Sequence, residues 1–186
     1  DYVGKGLSGA TIVIKPARGL AAPETNALIG HTVLFGATSG RLFAAGQAGE
    51  RFAVRNSGAV TVVEGCGANG CEYMTGGQVV ILGPTGNNFG AGMTGGMAFV
   101  LDQHDRFQAN INPDSILVQR LASPYWEGVL RSLIAEHARE TDSVFAATLL
   151  RDWDRVRDQF WQVCPKEMVS RLPQPLAAEE AVHERA

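Results

Sequence analysis

No stretch of the 186 residues stays apolar for the roughly 20 positions a bilayer crossing takes, and no secretory signal opens the chain. Cysteine is scarce. Cys66, Cys71 and Cys164 are odd in number and follow no disulfide framework, which fits a reducing compartment and a cytoplasmic location. Cys66 and Cys71 stand five apart across a glycine-rich corner, with no further thiol or imidazole nearby at ligand spacing. Buried thiols are therefore expected there, not a zinc or iron–sulfur site. An excess of one charge is missing too: the net charge is only −3 and no basic stripe exists, which argues against nucleic acid as a partner. No serine sits in a G-x-S-x-G turn. The glycines of Gly83-Pro84-Thr85-Gly86-Asn87-Asn88-Phe89-Gly90 lead into more strand pattern, so the helix N-terminus of a phosphate loop is absent. The first residue is not methionine, and the native chain is expected to extend upstream.

Glycine itself is nearly absent from the second part of the chain. Of 22 glycines, every one except Gly128 precedes residue 110. In that first part Met74-Thr75-Gly76-Gly77 and Met93-Thr94-Gly95-Gly96 recur nineteen residues apart, and the same offset carried back reaches Arg55-Asn56-Ser57-Gly58. Each phrase opens a short aliphatic run. Such a period is too short for a helix pair and suits one coil of a β-solenoid. Aligned at nineteen, Val60/Val79/Ala98 and Val62/Ile81/Val100 form aliphatic columns expected to face inward, because side chains alternate along a strand. Thr61, Val80 and Phe99 then form an outward column that grows more apolar along the stack and calls for cover. Asn69 pairs with Asn88 in the same register, as an amide ladder would require, and Gly67 pairs with Gly86. Less regular strand patterns precede these at residues 9–14, 30–36 and 40–46.

After Asn112-Pro113 helix formers dominate. Ser123-Pro124 reads as an N-cap followed by proline at the first helical position, and Trp126, Val129, Leu130, Leu133 and Ile134 follow at helical spacing. Asp142 is the expected cap of a second helix carrying Val144, Phe145, Leu149 and Leu150. A third is expected through Trp153, Val156, Phe160 and Trp161, ended by Pro165. These helices are expected to pack on the solenoid and hide its last open edge. The resulting division is a solenoid over 1–112, a helical cap over 113–172 and a mobile tail over 173–186.

The chemistry-bearing residues form no catalytic constellation. His31, His104, His137 and His183 are scattered, and His137, near Glu136 and Glu140, reads as part of a solvated helix face. Glu64 and Glu72 flank the cysteine corner, while Asp102 and Asp105 flank the end of the last clear strand. Both pairs are expected in surface salt bridges with Arg51, Arg55 or Arg106. No catalytic, cofactor-binding or metal-binding residue is assigned.

Residues 1–9 (Asp-Tyr-Val-Gly-Lys-Gly-Leu-Ser-Gly), 49–59, 71–77 and 86–93 resemble the C-terminal GXGXG domain of glutamate synthase large subunits. The likeness runs to about residue 172 and includes Asp152-Trp153. It implies a right-handed single-stranded parallel β-helix followed by an α-helical segment. It further implies a place in an oxidoreductase of nitrogen metabolism that forms two glutamates from glutamine, 2-oxoglutarate and reductant. In that family ammonia from an amidotransferase domain passes to a domain bearing FMN and a 3Fe-4S cluster, and the β-helix holds the two in place. The implied partners are those domains, a small reductase subunit and further copies of the parent. No catalytic residue carries over, because this chain matches only the β-helix. The alternative is a free-standing β-helix subunit of a split synthase or another multi-subunit oxidoreductase. A β-helical carbohydrate enzyme fits poorly, since the charges do not cluster on one outer face.

Overall fold

The computed structural model describes residues 1–177. The chain winds into a parallel solenoid of about four coils. Its principal strands are β1 (Ser8–Ile14), β3 (Ser39–Ala44), β5 (Ser57–Val63), β6 (Thr75–Ile81) and β7 (Gly95–Leu101), each parallel to the next. Two short strands, β2 (Ala27–Ile29) and β4 (Gln47–Ala48), pair in parallel at a second corner. A one-turn helix α1 (Phe107–Asn110) then leads to β8 (Ile116–Arg120), the long helix α2 (Pro124–Thr141), α3 (Val144–Arg151), the single turn α4 (Trp153–Val156) and β9 (Phe160–Pro165). The main sheet has the order β1-β3-β5-β6-β7-β9-β8, with its last two pairings antiparallel.

What turns the chain between strands is a run of alternating left-handed residues. Each coil places three at alternate positions: Tyr2, Gly4, Gly6; Thr32, Leu34, Gly36; Arg51, Ala53, Arg55; Asn69, Cys71, Tyr73; and Asn88, Gly90, Gly92, all with φ between 53° and 74°. The alternation aims successive N–H groups in opposite directions along the stack. Arg51 N donates forward to Ala68 O at 2.8 Å, Ala53 N donates back to Val33 O at 2.9 Å, and Arg55 N donates forward to Glu72 O at 3.0 Å. The other coils repeat the pattern, so each coil is bonded to both neighbours at its corner as well as in its strand. Left-handed backbone costs an L-residue about 1–2 kcal/mol, and these inter-coil hydrogen bonds are what hold Thr32, Leu34 and Tyr73 there. Residues 30–36, expected as strand, are one of these corners.

The paired glycines that open β6 and β7 have separate jobs. A Cβ at Gly58, Gly76 or Gly95 would lie 2.1, 2.2 or 1.9 Å from the carbonyl oxygen of Thr38, Ser57 or Thr75 in the coil before. The second glycine of each later pair, Gly77 or Gly96, has φ of 89° or 81° beside a register shift in the ladder. Asn56 takes the place that Met74 and Met93 hold in later coils. Its buried amide accepts from the N–H groups of Gly58 and Ala59 and donates to Ala59 O.

The nineteen-residue offset holds from β6 to β7, where Val79 faces Ala98 and Ile81 faces Val100, but it is eighteen from β5 to β6. The corner at residues 64–67 is one residue shorter than the corner at 82–86, and a one-residue slip exchanges the two faces of a strand. The inward columns are therefore Leu42/Thr61/Val79/Ala98 and Val63/Ile81/Val100. Val60 and Val62, expected inward, face outward, and Thr61, expected outward, is buried inside with no partner for its hydroxyl among the described residues. Val80 and Phe99 do face outward, in a column with Phe43 and Val62.

The helices cover that outer column. Trp126, Leu130, Leu133 and Ile134 of α2, Leu149 of α3 and Trp153 of α4 pack on Phe43, Val62, Val80, Leu82, Phe99 and Leu101 to make a second core outside the sheet. Ser123 precedes α2 as expected, but Ser143 caps α3, its Oγ accepting from Ala146 N at 3.1 Å. Asp142, expected as that cap, is the left-handed C-terminal residue of α2, with φ 57°. The expected third helix is a single turn. Phe160 and Trp161 belong to β9, whose alternating burial sends Phe160 and Cys164 to the outer core and Val163 to the inner. That strand pairs with β7, so the solenoid's last edge is closed by an antiparallel ribbon, while the helices cover a face. The Asn69–Asn88 ladder forms on the surface, with Asn88 Nδ2 donating to Asn69 Oδ1 at 2.9 Å, and Asn112 extends it by one rung. Of the tail, Pro175 O accepts from Trp126 Nε1 and Leu176 is buried, while the expectation for 178–186 lies outside the described residues.

Candidate functional site

One carboxylate stands where the fold provides apolar neighbours. Glu64 follows β5 in the outward column that holds Ala45, Leu82 and Leu101 in adjacent coils. It is 1 % exposed and lies under the α2–α3 elbow. Its Oε1 is 3.0 Å from His137 Nε2 and accepts from Ser143 Oγ at 2.5 Å. His137 comes from the buried face of α2, one turn before Thr141, whose hydroxyl donates to His137 O at 2.6 Å. Thr141 Oγ1 in turn accepts from Ser143 N, so the elbow is bonded within itself and to the solenoid.

Sequence reasoning placed both residues at the surface, Glu64 in a salt bridge and His137 on a solvated face, and the structure corrects both. With the eighteen-residue register, Glu64 is a lone acid in an apolar column, which was the signal available. His137 had none, since a histidine one turn before a helix end looks the same exposed or buried. A nucleophilic triad places its base between hydroxyl and acid. Here the carboxylate is in the middle, fully covered, and no described cavity is lined by Glu64 or His137. The cluster is a joint between two layers. Glu64 Oε2 and His137 Nδ1 have no partner among the described residues.

Asp102 forms a second polar hub at the end of β7. Its carboxylate accepts from the N–H groups of Arg106 and Phe107, at 2.9 and 3.1 Å, and from Trp161 Nε1 at 3.1 Å. Burial works to raise the Asp102 carboxyl, but these bonds and one from the His104 backbone hold it below its ordinary value. The expected Asp102–Arg106 side-chain bridge is thus a backbone contact. Asp105 instead lies 3.8 Å from Arg120, whose guanidinium stacks 3.5 Å over Trp161. Of the remaining candidates, Glu136 pairs with Arg41 at 2.7 Å, Glu72 is half-buried and in no ion pair among the described residues, and His31 and His104 are exposed. His183 lies outside the described residues. A cavity of about 520 Å³ opens beside the hub, between the Gly83–Thr85 corner, the end of β7 and α1.

The three thiols are free and buried, Cys66 and Cys71 inside the solenoid and Cys164 in the outer core. Burial pushes Cys66 up to about 12 and Cys71 well above its ordinary 9.0. These residues do not fit an iron–sulfur cluster, which needs several accessible thiolates together, and no group of three metal-ligating side chains occurs among the described residues. A thiol held neutral in the fold ionises more readily once unfolded, so its stabilisation is complete below pH 9 and falls as pH rises from 9 towards 12. The folded chain is accordingly expected to show no thiol reactive towards a disulfide reagent at pH 8 and three in denaturant. Rapid labelling of the folded chain would contradict this burial.

The pattern of alternate left-handed residues, with glycine at Gly4 and Gly6 and again at Gly90 and Gly92, has a counterpart in known proteins. The sequence model described as "GXGXG motif" matches residues 1–166. The chain belongs to the GXGXG family. Its relatives include the glutamate synthase (NADPH) large chain of Azospirillum brasilense, 59 % identical over 185 residues, 98 % of this chain and 12 % of that one. The ferredoxin-dependent glutamate synthase of Pyropia yezoensis is 52 % identical over 166 residues, 89 % of this chain and 11 % of that one. The glutamate synthase (NADH) of Schizosaccharomyces pombe is 48 % identical over 181 residues, 97 % of this chain and 9 % of that one. This GXGXG chain is thus a glutamate synthase domain, corresponding to about a tenth of those relatives' length. Among its described residues no helix is long and apolar enough to cross a membrane.

Proposed function

We propose that this domain is the structural spacer of a cytoplasmic glutamate synthase, fixing the separation between an amidotransferase domain and an FMN-bearing synthase domain of the same polypeptide. The observation that carries the reading is the continuity of the stack. Every coil is bonded to its neighbours through strand and corner, and its outer sheet face is packed under helices, so the body resists bending. A transferred ammonia molecule is protected only while the path between its source and its acceptor stays sealed. A stiff element between the two sites serves that need, and the cluster of polar groups found inside this domain has the geometry of a joint. In the same reading residues 113–172 are an integral cover of the 1–112 solenoid, and the FMN, the iron–sulfur cluster and the contacts with a reductase subunit belong to other parts of the parent.

The test is made on the full-length parent carrying a substitution that loosens this domain, such as Glu64→Ala. Glutamine hydrolysis is expected to continue while free ammonia appears and glutamate formed per glutamine consumed falls. Unchanged coupling in a variant whose β-helix has demonstrably opened would refute the spacer role. So would a flavin bound stoichiometrically by residues of this domain.

A further inference from the structure

The corner that carries Cys66 is a ladder with one rung left unfinished. In it Ala48 N donates to Gly65 O at 2.9 Å and Cys66 N donates to Pro84 O at 2.9 Å, each reaching forward to the next coil. In the reverse sense Gly67 N donates to Gly49 O and Gly86 N to Cys66 O, both at 3.0 Å. Thr85 occupies the position of Cys66 in the next coil. The corner beyond it is never built. After Leu101 the chain turns aside, Asp102 N donating to Gln159 O, and it returns only at α1. One half of the missing rung is imitated by a side chain, for Asn110 Nδ2 donates to Thr85 O at 2.8 Å. The other half is open: the Thr85 N–H has no acceptor among the described residues. The bypassed space is the cavity of about 520 Å³.

The chemistry of that space narrows the occupant. Pro84, Leu101 and Phe107 give it apolar walls. The Asp102 carboxylate stands at one side with its oxygens already accepting hydrogen bonds, and the exposed Gln103, His104, Asp105 and Arg106 also line the space. What remains is the Thr85 N–H and the Thr85 hydroxyl, both without a partner among the described residues, beside apolar surface at the open end of a backbone ladder. Open ladders are completed by extended peptide. The curated relatives are eight or more times this chain's length, so peptide from outside these residues exists wherever the domain is part of such a protein.

We propose that the cavity beside Thr85 receives an apolar segment from another part of the parent polypeptide, one backbone carbonyl of which accepts the Thr85 N–H. The inference rests on the reading of this chain as a domain of a larger synthase and names where one of its neighbours is gripped.

The test is hydrogen exchange resolved at Thr85 in the full-length parent. The Thr85 amide is expected to exchange roughly a hundredfold slower than an unprotected amide. Ala109→Trp, a substitution at an exposed position on the cavity wall, is expected to remove that protection and also to expose a second segment distant in sequence. Ala109→Glu, which adds charge rather than bulk, should do the same. Free exchange at Thr85 in the unsubstituted parent overturns the proposal and leaves the spacer role standing. Protection lost in both variants with no second segment released also overturns it, since the occupant is then a small molecule. A native protein of this chain's own mass removes the larger polypeptide and with it the reading on which the proposal rests.

Discussion

Glu64→Ala is expected to cost about 3–5 kcal/mol of unfolding free energy, among the largest losses any single side-chain truncation in this chain would produce. The change leaves His137 Nε2 and the Ser143 hydroxyl facing a void where the buried carboxylate stood. The magnitude comes from stranding partners, not from the intrinsic worth of the pair, and that distinction can be measured. Glu64 occupies a column otherwise filled by Ala45, Leu82 and Leu101, so a leucine has the right neighbours. Glu64→Leu combined with His137→Leu removes both unpaired polar groups and leaves Ser143 Oγ its bond from Ala146 N. The double variant is expected to recover all but about 1 kcal/mol of the loss. Denaturant unfolding of the single and double variants closes the cycle. A Glu64→Ala chain within about 1 kcal/mol of the parent would mean the joint carries no such load.

Gly95→Ala is the second large effect, and its origin is steric. The added Cβ would stand 1.9 Å from Thr75 O, a backbone atom fixed by the coil beneath. No rotamer relieves that contact, so β7 must lift away from β6. The rungs next to it are Gln78–Met97 and Val79–Ala98, and beyond β7 lies the β9 seal. A loss of at least about 4 kcal/mol, or failure to accumulate folded chain, is expected. Gly128→Ala is the control: it lies within α2, its Cβ meets nothing within 4 Å, and alanine is the better helix former by about 1 kcal/mol. Thermal melts of the two variants side by side test this. A Gly95→Ala chain melting with the parent would show that the coils are not in van der Waals contact at this corner.

Most of the solenoid was legible because its recurring phrases are tied to close contacts. Met74-Thr75-Gly76-Gly77 and Met93-Thr94-Gly95-Gly96 repeat because methionine fills the interior, one glycine passes the carbonyl below and the next adopts positive φ. The same regularity misled at β5. Asn56 replaces the methionine and the following corner is one residue short, so matching by glycine alone placed Thr61 on the wrong face. The corners were harder still. Leucine, arginine and tyrosine carry no local preference for left-handed backbone, and only hydrogen bonds to adjacent coils hold Leu34, Arg51 and Tyr73 in it. β9 escaped for a related reason. Phe160, Gln162 and Cys164 alternate with Trp161 and Val163, but both sets are apolar enough to mimic a helix stripe, and the partner strand lies some 60 residues earlier. Glu64 and His137 could not be joined from spacing, being 73 residues apart and related only through the way the helices fold back.

The antiparallel seal has a consequence for the order in which this protein comes into being. Coils can form successively as the chain emerges from the ribosome, since each needs only its predecessor. The strand that closes them, β9, is translated about 60 residues after β7. During that interval a nascent chain presents an unpaired parallel edge, the kind of surface on which two growing copies can join. A stalled or truncated message ending before Phe160 therefore yields a body with its stack built and its last rung bare, and the helices α2 and α3, already made, lie across the wrong surface to protect it.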